Sequence, residues 1–188
     1  MKLESIFREI LQSVANPAGY FKNIADQNTI SSSILKIVVY ALVSGLFLTI
    51  IAAIATDMSD GFGFLAPIFA FALTIPLGVG GIALLFVGAL IVMILSTVSG
   101  GDADYKKSVY VAAAVEVIFI PMVVIALKSH FDETLAYFIN VFCYWGGIMM
   151  LYNALIYTLN GKRLPAVIIA VLLIALSLLP VKNHPQLF

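Results

Sequence analysis

Glu116 is the residue whose type and place most invite chemistry. It stands eight residues into an otherwise uncharged stretch, 108–127, that also contains Pro121. At about 1.5 Å of helical rise per residue, that is roughly 12 Å along the segment. An ionised acid at that depth in a bilayer is expensive, so it must be neutral, paired with a cation, or turned to a wet cavity. Two chemistries follow: a neutral carboxyl hydrogen-bonded between helices, or a proton or cation site on a transport path. Ser44, Tyr152 and Asn153 lie at similar depth in other apolar stretches and are its expected neighbours.

No catalytic set accompanies it. His130 and His184 stand in polar loops without companions, and the chain has no His-Glu-x-x-His, no Gly-x-Ser-x-Gly and no phosphate-binding glycine loop. Asp57, Asp60 and Gly61 mark a turn but lack the ligand alternation of a calcium loop. The single cysteine, Cys143, allows neither an internal disulfide nor a thiolate cluster. An enzyme is therefore the least expected class, and no catalytic residue, cofactor or metal ligand is assigned.

The elements that must hold Glu116 are set by composition. The chain is 62% hydrophobic and 11% charged, with a mean hydropathy of +1.09, whereas soluble domains carry about 25% charged residues. Its solvent is lipid, and a net charge of zero gives no reason to expect nucleic acid. Residues 1–15 alternate charged and apolar side chains, unlike a signal peptide, so the first apolar stretch is expected to stay as an anchor.

Leu3, Ile6, Phe7, Ile10, Leu11 and Val14 recur at helical spacing opposite Lys2, Glu4, Arg8, Glu9 and Gln12. Asn16-Pro17 fits an N-cap and first helical position, opening a second short helix with Tyr20, Phe21 and Ile24 on its apolar side. Both helices are expected at the membrane surface, or packed on the protein's own loops. Ser31, Ser32 and Ser33 can cap a first span over 34–56, with Lys36 reaching to the headgroups. Ala41, Gly45, Thr49 and Ala53 give that span a small-residue stripe suited to close packing within the chain.

The uncharged run 62–98 is too long for one span, and Pro76 with Gly78, Gly80 and Gly81 offers a break before a second span at 77–98. Gly100-Gly101 ends it, Asp102 can cap the next helix, and Tyr105 with Lys106 and Lys107 suits the interface. Further spans are expected at 108–127, 135–157 and 164–181. Asn140, Trp145 and Asn153 on the fourth read as packing and hydrogen-bonding groups. With the N-terminus inside, eight of the ten basic residues fall in inner segments, and Lys128 and Lys182 alone fall outside. That split favours five spans, a cytoplasmic N-terminus and an outer C-terminus.

Taken in order, the Asn-Pro-x-x-Tyr-Phe element at 16–21, the Gly-Gly-x-x-x-Tyr-Lys loop at 100–106 and Pro121 in the third span resemble the Yip family of Ypt/Rab GTPase-interacting membrane proteins. Val117 stands where that family usually has an aromatic residue. The resemblance covers nearly the whole chain and implies an all-α, five-span bundle that associates with other membrane proteins or with copies of itself. Only about 33 residues precede the first span, so the chain resembles the compact prokaryotic members of the inner membrane, for which a Rab partner is not expected. The expected layout is interfacial helices over 1–33, a membrane domain over 34–181 and a short outer tail over 182–188. Its candidate functional residues are Glu116, Ser44, Tyr152, Asn153, Gly100, Gly101, Tyr105 and Pro121.

Overall fold

A computed structural model describes residues 3–23, 30–55, 65–118 and 133–177. Every regular element among them is helical: α1 Leu3–Ala15, α2 Pro17–Asn23, α3 Ile30–Ala55, α4 Leu65–Ala72, α5 Thr74–Val98, α6 Tyr105–Val115, α7 Glu133–Tyr157 and α8 Arg163–Ser177. A 3-10 turn, Glu116–Ile118, continues α6. Three stretches are long and apolar enough to cross a membrane, Ile30–Ala53, Leu65–Val98 and Ile139–Tyr157, and α8 is a shorter apolar helix. Phe142, Ile75, Leu164 and Val79 expose between 66% and 80% of their surface. Apolar residues turned outward on several helices suit a lipid surround rather than water.

Small residues set how closely α3 and α5 approach. Ala41 faces Gly78, Ile37 faces Gly81, and Thr74 sits over Gly45, where a Cβ would collide with its hydroxyl. These pairs run in opposite chain directions, so the two helices are antiparallel, and Ala41 and Gly45 of the small-residue stripe pack inside the molecule while Ala53 is exposed. Helix α6 occupies the centre. Every residue from Ser108 to Ala114 is buried, with α5, α3 and α7 packed around it.

Sequence boundaries shift at three places. Helix α3 begins at Ile30, so Ser31, Ser32 and Ser33 lie inside its first turn rather than ahead of it. The chain breaks at Leu73 rather than after Pro76, and α5 begins at Thr74. Pro76 thus falls in a first turn, where its missing N–H would in any case have had no partner inside the helix. Asp102 does not cap α6; Asp104 does, its Oδ1 accepting from the backbone N–H of Lys106 at 2.9 Å and of Lys107 at 3.1 Å. By contrast, Asn16 caps α2 as expected, accepting from Gly19 N–H at 3.0 Å.

The α5–α6 turn is built on glycine. Gly100 has a φ of 73°, and the N–H groups of Gly100 and Gly101 close the helix onto Thr97 O at 3.0 Å and Ser96 O at 2.8 Å. This is the paired C-terminal closure that favours glycine in the left-handed position. The turn then docks on the α7–α8 turn: Asp102 N–H donates to Leu159 O at 2.7 Å and Lys162 N–H to Ser99 O at 2.9 Å. At Gly101 the approach is so close that a Cβ would strike Leu159 O, and it would lie 2.9 Å from Gly161 N. Gly101→Ala should therefore cost about 1–3 kcal/mol, because the obstacle is backbone. Gly80→Ala, in a helix interior with open space around it, should be neutral or stabilising by up to about 1 kcal/mol. Unfolding in mixed micelles checks the pair.

Candidate functional site

The site forms where α6 ends. Glu116 follows the last α-helical residue of the buried central helix, and the tightening to 3-10 geometry there brings its side chain between α3 and α5. Only 8% of its surface is exposed. It borders a cavity of about 200 Å³ lined by Ile37, Tyr40, Ala41 and Ser44 of α3 and by Pro76, Leu77, Gly80, Gly81 and Leu84 of α5. Pro76, Gly80 and Leu84 lie on the exposed face of α5, so the cavity opens sideways. The same small residues that let the helices approach leave this space, because they fill so little of the seam. A Cβ on Gly88 would lie 3.9 Å from Glu116 Oε1. Among the described residues, Glu116 has no hydrogen-bond or ion-pair partner.

The structure brings Ser44 to Glu116, as depth along the spans suggests. It does not bring Tyr152 or Asn153. Asn153 is buried but donates to Met149 O of its own helix at 2.7 Å, and Tyr152 is half-buried against the core. Trp145, read from sequence as a packing group, is 45% exposed and looks outward. Gly100 and Gly101 shape the turn described above, and Tyr105 opens α6 half-buried at its edge. Pro121 lies outside the described residues. Among those that are described, no group of three or more His, Cys, Asp or Glu could hold a metal ion.

A second polar cluster went unread in the sequence. Lys36 does not reach to the headgroups: it is 1% exposed, and its Nζ lies 2.7 Å from Glu9 Oε2 of α1. That contact is an ion pair rather than an aligned hydrogen bond. Nζ also donates to Tyr110 Oη at 3.3 Å and Tyr20 Oη at 3.4 Å, and stands 4.3 Å from the centre of the Tyr110 ring. The two phenols hydrogen-bond to each other. Burial raises the Tyr20 phenol well above its usual range, so it stays neutral and can share its proton with Tyr110. One signal was available: Lys36, Tyr40 and Ser44 fall at four-residue spacing, on one side of α3, and all three are buried.

No family model matches the chain, and neither does any curated protein or solved structure.

Two predictions come from these clusters. Removing one member of a buried ion pair strands the other, so Glu9→Gln should destabilise the docking of α1 by about 1–3 kcal/mol. The value falls below that of a fully enclosed pair because Glu9 is 25% exposed. Glu9→Gln combined with Lys36→Met should recover much of the loss. Trypsin cleavage after Arg8 and Lys22 reads the release.

The other prediction concerns Asp102, whose carboxylate accepts from Lys107 Nζ at 3.0 Å and Asn160 Nδ2 at 2.9 Å. Lys107 first, and Asn160 after it, hold this carboxyl below the usual carboxylate range. Its folded-state affinity for protons is thus lower than in the unfolded chain. The stabilisation is complete above the unfolded value of about 3.9 and is lost as pH falls through the folded one. A stability titration should show the wild type weakening below about pH 4 more steeply than Asp102→Asn.

Proposed function

We propose that this chain is a five-span integral membrane adaptor of the Yip type, working through lateral contacts with proteins or lipids of a prokaryotic inner membrane. The observation that carries the reading is the anchored N-terminal pair of helices. Tyr20 and Phe21 are buried in the bundle, Thr158 Oγ1 donates to Phe21 O at 2.9 Å, and the Lys36–Glu9 pair fixes α1. Leu11 and Val14 of α1 remain 69% and 59% exposed. A docked helix that leaves Leu11 and Val14 exposed suits contact in the membrane plane.

The five-span layout is supported by the ends of the helices. The α5–α6 and α7–α8 turns are joined, and α2 rests on the second of them. With the basic residues clustered at these segments, that end is cytoplasmic in this proposal, with the N-terminus there and residues 182–188 outside. The alternative is a small transporter or channel using Glu116 as a proton or cation site, and the buried acid on a cavity is what favours it.

Two measurements separate these readings. In a Cys143→Ser background, Ala103→Cys and Lys162→Cys should label only from the cytoplasm and Ser59→Cys only from outside; labelling of positions 59 and 103 from one side would sink the topology. Reconstituted vesicles should show no flux driven by a pH gradient, while crosslinking in intact membranes from position 11 should yield a discrete adduct. Flux in the wild type that Glu116→Gln abolishes would overturn the adaptor in favour of the transporter.

A further inference from the structure

We propose that the cavity between α3 and α5 binds a small apolar amine, which enters sideways from the bilayer and pairs its ammonium with Glu116. This goes beyond the adaptor reading and does not depend on it.

The argument starts from the acid. Glu116 is more than nine-tenths buried, borders the cavity and has no hydrogen-bond or ion-pair partner among the described residues. The nearby buried cation cannot neutralise it, because Lys36 is already engaged by Glu9, Tyr20 and Tyr110. A ligand that carries its own positive charge would supply what the site lacks.

The rest of the lining selects the kind of cation. Ile37, Ala41, Leu77 and Leu84 are apolar, while Tyr40 and Ser44 are the other polar side chains on the wall. Calcium or magnesium needs about six or more oxygen ligands, or a retained water shell, and zinc about three or four protein ligands, and these walls supply too few. An ammonium has only three N–H groups to satisfy, within reach of one carboxylate and two hydroxyls. Its hydrocarbon part then meets the apolar wall.

Size and access narrow the class further. A volume of about 200 Å³ lies under the ~300–1,000 Å³ typical of drug-sized ligands, which points to a fragment with a single ring or a short chain. The exposed positions Pro76, Gly80 and Leu84 place the mouth on the outer face of α5. An anionic headgroup would form no ion pair with an acid, and a lipid chain would fill the space without using it.

The test is a fluorine NMR titration of the full chain in nanodiscs with para-fluorobenzylamine, with para-fluorobenzyl alcohol as the uncharged comparison and empty nanodiscs as baseline. The amine should bind saturably and about tenfold more tightly than the alcohol. Glu116→Gln keeps the shape of the side chain and should erase that preference. Gly80→Leu adds bulk at the mouth of the cavity, where Gly80 is exposed, and should block binding of both probes.

Equal affinity for amine and alcohol in the wild type would overturn the proposal and leave an apolar recess for lipid chains. A preference that survives Glu116→Gln, or binding that survives Gly80→Leu, would place the amine elsewhere and overturn it equally. So would an absence of saturable binding above empty nanodiscs.

Discussion

An apolar helix surrounded by lipid gains little from burying more apolar surface against its neighbours, so a bundle of this composition must be held by close packing and by polar contacts. Both devices are present, and they are segregated. Along the helices, small residues on α3 and α5 bring the backbones together, and the all-buried α6 fills the centre. At one end, the turns that follow α5 and α7 exchange backbone hydrogen bonds, with Asp102, Lys107 and Asn160 adding a polar clasp. Large apolar side chains such as Phe142, Ile75 and Val79 are turned outward from the helices.

The interior polar groups follow the same division. Lys36 is a buried charge made tolerable by a carboxylate, two phenols and an aromatic face, so every part of its ammonium has somewhere to go. Glu116, two turns further along the bundle, has an open space instead. A satisfied buried ion fixes structure. A buried acid without such partners, beside a cavity, is the natural place for an occupant, and the contrast between the two directs attention to α3 and α5.

Much of this was legible in the chain itself. Long uncharged runs gave the apolar helices, Asn16-Pro17 gave a cap that the structure forms, and Gly100-Gly101 gave a helix end that only a left-handed residue closes well. What could not be read was the rotation of one helix against another. Depth alone grouped Tyr152 and Asn153 with Glu116, yet α7 turns Asn153 back onto its own backbone. The two aspartates of the Gly-Asp-Ala-Asp turn are equally plausible caps by type; tertiary pairing with the distant Asn160 decided that Asp102 would clasp and Asp104 would cap. Lys36 was misread for the same reason, since its partners lie on α1, α2 and α6.

The hydrogen bond from Thr158 to the backbone of Phe21 joins positions 137 residues apart. During synthesis, α2 leaves the ribosome long before its receptor exists. Contacts of such sequence separation form late, after the loop between them has been closed. The two N-terminal helices must therefore wait undocked while α3 to α7 are made, and the amphipathic pattern of the first suits a helix that packs only later. Docking of α2 then becomes a completion step, available only to a chain whose α7 has arrived in the right orientation.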